Sequence, residues 1–240
     1  MTADVAETET PELHHSHRDV TGGWLRPATF GVMDGLVSNF ALVAGVVGGG
    51  ATGKVVIVTG LAGLVAGACS MASGEFTSVS SQTELMQAEI AVEKRELEIH
   101  PEEEERELAM MYEAKGLRPE LAAEVARELT ANPAVALDTH VREELGVDPN
   151  DLPSPWVAAG SSFVAFAIGA LIPLLPFIFG AASVLPALLL SALGLVITGG
   201  IVGKITARPF WYGGGRQLLL GSISAAVTFA IGLAVGTGLS

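Results

Sequence analysis

Four glutamates in the middle of the chain have the spacing of a cation site. Glu93/Glu96 and Glu104/Glu107 are each separated by three residues, so both carboxylates of a pair leave one face of a helix. The pairs lie symmetrically about His100-Pro101, and an antiparallel hairpin turning there would bring all four together. Facing carboxylates repel unless cations bridge them, as in the di-iron and related carboxylate sites of helical bundles. The plainer reading of an acidic run is a solvated face, and it is adopted for Glu102 and Glu103. The Glu-x-x-His spacing of ferritin-like sites is absent. That argues against an oxidase, and no enzyme activity is expected.

A second set of candidates lies in apolar sequence. Asp34 is eight residues past Arg26, about 12 Å along a helix at roughly 1.5 Å per residue, near the middle of a bilayer. A carboxylate there costs at least a few kcal/mol unless it is paired, protonated or metal-bound. A buried acid on an ion path is therefore expected. Gly31 and Gly35 flank it and let a neighbouring helix approach, while Ser38 and Asn39 add polar groups. Glu75 closes the next apolar run, with Met71 one turn deeper on the same helical face. Carboxylate plus thioether suits a borderline ion such as Fe²⁺ better than Ca²⁺ or Mg²⁺. Met71 as packing and Glu75 as a solvated helix end are the plainer alternatives.

Membrane helices must position this second set. Crossing a hydrocarbon core takes roughly 20 apolar helical residues, and five runs qualify: 27–49, 55–76, 156–180, 185–203 and 215–239. The charges fall between them. Of 26 acids, 19 lie in residues 77–155 against seven bases, whereas 156–240 contain no acid and three bases. This partition excludes a single soluble domain and a nucleic-acid binder with a basic face. The lone Cys69 excludes an internal disulfide or a cysteine zinc cage. The expected organisation is an N-terminal tail (1–26), two spans (27–76), an acidic helical insert (77–155) and three spans (156–240). The fold class is all-α, a polytopic membrane protein.

No signal peptide is evident in the polar, acidic first 20 residues. With the N-terminus inside, the inner side holds Arg18, Arg26, Lys204, Arg208, Arg216 and the insert, against Lys54 alone outside. The positive-inside rule then gives a cytosolic insert and an external C-terminus. Trp24, Trp156 and Trp211 each fall at an inner span end, as interfacial anchors do. The Ala/Gly-rich composition hints at a bacterial plasma membrane. Gly48-x-x-x-x-Gly53-Lys54-Val55 nearly matches a phosphate-binding loop, but Val55 lacks the hydroxyl that would hold Mg²⁺; a turn between two spans is expected instead.

Within the insert the pattern is helical from Gln82 to Gly146. Ser81-x-x-Glu84 could cap a new helix, or the second span could simply continue. Pro101 followed by four glutamates has the form of a helix start, and Gly116 ends that helix. Further helices are expected from Pro119 to about Thr130 and over about 135–145. His14, His15 and His17 could bind metal weakly, though a tail without fixed structure is the simpler reading.

Several segments together resemble the vacuolar iron transporter family over about residues 18–240. They are Arg26 with Phe30-Gly-Val-Met-Asp34-Gly-Leu-Val-Ser38, then Gly63-Leu-Val-Ala-Gly-Ala-Cys-Ser-Met71-Ala-Ser-Gly-Glu75-Phe, the doubled Glu-x-x-Glu, Arg142-Glu-Glu-Leu-Gly146, and Pro155-Trp-Val-Ala-Ala with its proline-broken third span. The resemblance implies a homodimer of five-span subunits that exports Fe²⁺, often also Mn²⁺, from the cytosol in exchange for protons. It implies that Asp34 and Met71 line the membrane path with Glu75 at its mouth. It also implies a cytosolic metal site of Glu93, Glu96, Glu104, Glu107 and Glu144. Plant members carry a Met-Met pair where this chain has His140-Val141, so His140 is either a nitrogen donor replacing a thioether or a cap. The competing function is a membrane-anchored iron-binding or storage protein without transport. The in-membrane Asp34 argues against it, because an anchor has no use for a costly acid.

Overall fold

Each of the five apolar runs forms a helix or a broken helix long enough to cross a bilayer in a computed structural model of the chain, which describes residues 23–181 and 183–238. The spans are α1 (Leu25–Gly48), α2 (Gly53–Ile99), a third made of α6 (Pro155–Leu171), a 3₁₀ turn (Ile172–Leu174) and α7 (Leu175–Ile178), then α8 (Leu185–Ile205) and α9 (Phe210–Gly238). Between the second and third come α3 (Pro101–Ala114), α4 (Pro119–Thr130) and α5 (Pro133–His140), which runs into a π-helical turn at Val141–Leu145. No strand occurs among the described residues.

Proline marks the helix starts. It occupies an early first-turn position in α3, α4, α5 and α6, where its missing N–H is one that no helical carbonyl would have accepted. Ser154 and Asn132 cap α6 and α5 through their side chains. Deeper in a helix the same residue breaks it, and Pro173 turns the third span into its 3₁₀ segment.

Two boundaries differ from those expected, and the alternative left open at Ser81–Glu84 is decided. No helix starts there, because α2 continues for 47 residues, about 70 Å at 1.5 Å per residue. Residues 75–100 contain neither Gly nor Pro, so nothing stops it at the membrane surface. The fifth span begins at Phe210 rather than 215. Gly213 and Gly214 stay helical because they lie against α8, where a methyl on Gly214 would come 2.8 Å from the Val196 carbonyl oxygen. The last insert helix is shorter than expected and ends in the π turn. Residues Gly49 to Thr52 form the turn between the first two spans, with Gly50 at φ +86°, as required in place of a phosphate loop.

Glycine faces set how the spans pack. α1 lies along α6, α9 and α2, and α8 lies along α9. At Gly31 a methyl would sit 2.7 Å from the Ser162 carbonyl oxygen, and at Gly35 it would overlap the backbone of Phe166. Without a hydrophobic drive in lipid, such backbone approach is what holds membrane helices together. Gly63 faces Leu42 and Asn39, and Gly67 faces the Phe166 ring, so this small-residue pair packs inside one chain. Polar ties cross between spans: Asn39 Nδ2 donates to the Ala170 carbonyl (2.5 Å), and Thr228 Oγ1 donates to the Ala41 carbonyl (2.7 Å). Trp24, Trp156 and Trp211 lie exposed at the span ends nearest the insert, with Trp156 edge-on to Phe76.

Candidate metal centre

The centre is built where α2 ends. His100 is the one non-helical residue between α2 and α3, at φ −125° and ψ 45°. Its amide donates back to the Glu96 carbonyl at 2.7 Å, and its own carbonyl accepts from the amides of Glu103 and Glu104 at 2.9 and 3.1 Å. That hinge sets the last turns of α2 beside the first turn of α3. Leu108 and Ala109 of α3 pack on Ala126 of α4, and α5 closes against both α2 and α4.

His140, the last residue of α5, is fully buried. Its Nδ1 lies 3.0 Å from Glu144 Oε1, 3.1 Å from Glu93 Oε1 and 3.6 Å from Glu104 Oε2. One candidate ligand atom from each of the four residues lies within 4.8 Å of all the others. Around an ion at about 2.1 Å, neighbouring ligand atoms stand about 3.0–3.4 Å apart, close to the spacing between Nδ1 and the three carboxylates. The Nε2 atom of His140 is buried and has no hydrogen-bond partner among the described residues.

Electrostatics agree with a site made for a cation. Burial, then the charges of Glu144, Glu104 and Glu107, push the Glu93 carboxyl up to about 7. Glu104 is raised as well, chiefly by burial and next by Glu107, with His140 pulling the other way. Buried carboxylates that repel one another hold protons until a cation replaces them.

Of the residues expected in this site, the fold gathers Glu93, Glu104, His140 and Glu144 and leaves two outside. Glu107 is exposed, and Glu96 is partly exposed with Oε2 3.8 Å from His100 Nε2. The hairpin therefore does not bring four glutamates face to face; α5 enters the groove and takes one member of each pair. Supporting residues escaped the sequence reading. Arg142 donates to Asp138 at 2.8 Å and pairs with Asp148 at 2.7 Å. Asn150 joins Asp138 through its side chain and Asp148 through its amide, both at 2.9 Å. Hydrogen bonds to Asp138 and then Asp148 raise the Arg142 guanidinium, and the Asn150 amide leads the causes that hold Asp148 low. Lys115 pairs with Glu143. Both neighbours of Glu144 on its N-terminal side are thus tied down; the Asp138/Arg142 spacing of four residues was the available signal.

The membrane candidates are arranged differently. Glu75 is partly buried, and its Oε2 has no partner among the described residues. Met71 packs against the Ala68, Phe166 and Ala170 cluster. Asp34 corrects an expectation: in the single chain it is exposed rather than buried, and its carboxylate makes no hydrogen bond or ion pair among the described residues. The reason is the glycine face, since Gly31 and Gly35 turn toward α6 and Asp34, one residue before Gly35 and so about 100° round the helix from it, turns away. His14, His15 and His17 lie outside the described residues.

The sequence as a whole has known relatives. The profile of the VIT family matches residues 25–233. The chain is 35% identical over 224 residues to the vacuolar iron transporter of Acanthamoeba castellanii, covering 91% of this chain and 78% of that protein. It is 31% identical over 240 residues to vacuolar iron transporter 1 of Oryza sativa subsp. japonica, covering 99% and 95%. With vacuolar iron transporter 1 of Arabidopsis thaliana it shares 30% identity over 229 residues, covering 94% and 92%.

Proposed function

Because this chain belongs to the VIT family, a family of metal transporters, we propose that it exports Fe²⁺, and also Mn²⁺, from the cytosol in exchange for protons. Residues 77–155 form the cytosolic collector. Its site is Glu93, Glu104, His140 and Glu144, with Glu96 and Glu107 as outer carboxylates that concentrate cations. Glu75 and Met71 form the mouth, and Asp34 carries the ion across. One nitrogen and three carboxylates suit Fe²⁺, Mn²⁺ or Zn²⁺ better than Ca²⁺ or Mg²⁺.

The observation that carries this reading is the cluster's attachment to a span. Glu93 and Glu75 sit on one unbroken helix, 18 residues apart, or about 27 Å. A collector joined this way to a membrane acid serves passage rather than storage. Metal ligation needs deprotonated carboxylates, so protonation of Asp34 from the acidic outer side expels the ion. Export follows from that asymmetry. An exposed acid at mid-membrane depth cannot face lipid, which supports a homodimer with Asp34 covered by the second copy. Composition favours a bacterial plasma membrane, whereas the relatives are named for the vacuole; with the insert in the cytosol, metal leaves the cytosol in either case.

The test is Fe²⁺ uptake into proteoliposomes with an acidic lumen. Uptake is expected to depend on the proton gradient, and Asp34→Ala is expected to abolish it. Wild-type flux in that variant would sink the mechanism. A storage protein predicts stoichiometric binding with no flux at all; the completeness of the His/Glu cluster within one chain is what favours that second reading.

A further inference from the structure

The membrane face from which the insert leaves carries positive charge without acidic partners. Arg26, Lys204, Arg208 and Arg216 make no ion pair among the described residues, and residues 156–240 contain no acid. Lys204 and Arg208 lie 5.8 and 5.9 Å from the rings of Phe210 and Tyr212. Those contacts leave both charges exposed. A collar of this sign opposes the approach of a divalent cation, so something anionic is needed beside it.

At the same face, the start of α1, the middle of α2, the end of α8 and the loop before α6 line a cavity of about 430 Å³, within the roughly 300–1,000 Å³ range of ligand-sized sites. Phe30, Met33, Val79, Val202 and Ile205 give it an apolar lining, and Arg26 stands among them as the charged group. No acid lines it among the described residues, so it is no station for a metal ion. Lys204 adjoins Ile205 at the end of α8, and Arg208 follows in the joint to α9. Exposed Trp24 and Trp211 mark this as headgroup depth. Apolar lining, basic rim and interfacial depth together describe one kind of occupant.

We propose that this cavity holds an anionic phospholipid, its acyl chain against Met33, Val79 and Val202 and its phosphate at Arg26, with Lys204 and Arg208 as flanking charges, and Phe30 at its outer edge left to the subunit interface. Basic residues between spans recognise acidic headgroups in this way. The bound phosphate neutralises part of the collar. The proposal stands on the membrane placement alone and is independent of the transported ion.

The test follows the melting temperature of purified full-length protein in detergent during titration with phosphatidylglycerol or phosphatidylcholine of identical chains. Phosphatidylglycerol is expected to act at lower concentration, by about fivefold for each basic residue engaged. Arg26→Gln removes about that factor, and Arg26→Lys keeps it. Equal responses to the two lipids overturn the proposal, as does an unchanged preference in Arg26→Gln. An equal shift from inorganic phosphate also overturns it, since the site would then take a free anion. Should Arg26→Gln fail to fold, chain-brominated lipids decide the matter in Trp156→Phe. Brominated phosphatidylglycerol is expected to quench Trp24 and Trp211 at a lower mole fraction than brominated phosphatidylcholine. Equal quenching, as when a second copy of the chain fills the cavity, counts against it.

Discussion

At the scale of single residues, His140 sets the character of the candidate metal cluster. It brings the only nitrogen among four candidate ligands, and it reaches the carboxylates through Nδ1 from a fully buried position. His140→Ala is expected to weaken Mn²⁺ binding at least about tenfold, the scale on which even outer partners of a metal site act; calorimetric titration of the purified protein checks this. Glu93 adds a pH dependence whose sign can be worked out. Its carboxyl is raised from 4.5 to about 7 in the folded chain, so over that window the folded state keeps a proton that the unfolded state gives up. Metal-free stability therefore falls as pH rises through the window, while metal affinity rises because the ion displaces that proton. The melting temperature without metal should drop between about pH 5 and pH 7.5, with added Mn²⁺ restoring it at the upper end. Glu93→Gln should flatten both trends. A flat wild-type profile contradicts the assignment.

At the scale of elements, the proposed transport depends on α2. It crosses the membrane and then carries Glu93 to the cluster without a break. A proline in the intervening stretch removes a hydrogen bond and costs about 3 kcal/mol or more, enough to kink the helix. Gln87→Pro is expected to keep stoichiometric Mn²⁺ binding, since the ligands lie beyond it, and to lose most of the flux. Binding and proteoliposome uptake measured on one preparation separate the two effects. Loss of both would mean that the cluster needs a straight α2 to form at all. The length of α2 was legible, because residues 75–100 contain no helix breaker, yet the hydropathy change at the membrane surface invited a boundary there. Proline-marked starts at 101 and 119 were also legible, because proline's effect is local; the start at Pro133 precedes the expected 135 by two residues. The π turn after His140 was not, since it depends on Arg142, Asp148 and Asn150 drawing the following loop back.

At the scale of the whole molecule, the exposed face of α1 needs a cover within the bilayer. Phe30, Asp34 and Ser38, spaced by four residues, are all exposed and share one side of the helix. In the proposed homodimer that side meets its equivalent across a two-fold axis, so a residue near the axis faces its own copy. Oxidation of Phe30→Cys, in a Cys69→Ser background, is expected to yield a disulfide-linked dimer on a non-reducing gel. Monomer alone under the same oxidation would place the interface elsewhere and leave Asp34 without cover.

The sequence by itself determined the five spans and the separation of acidic from basic segments, because hydropathy and charge act residue by residue and need no partner. It also named Glu93 and Glu104 as candidates, through their spacing. Only the tertiary structure decided which carboxylates meet. Two residues three apart on a helix diverge by about 60°, and α5 meets Glu93 and Glu104 while Glu107 stays exposed and Glu96 partly so. Packing likewise decided that Asp34 faces outward: Gly31 and Gly35 draw α6 onto their side of α1, and the side chain between them is left to whatever lies beyond the chain.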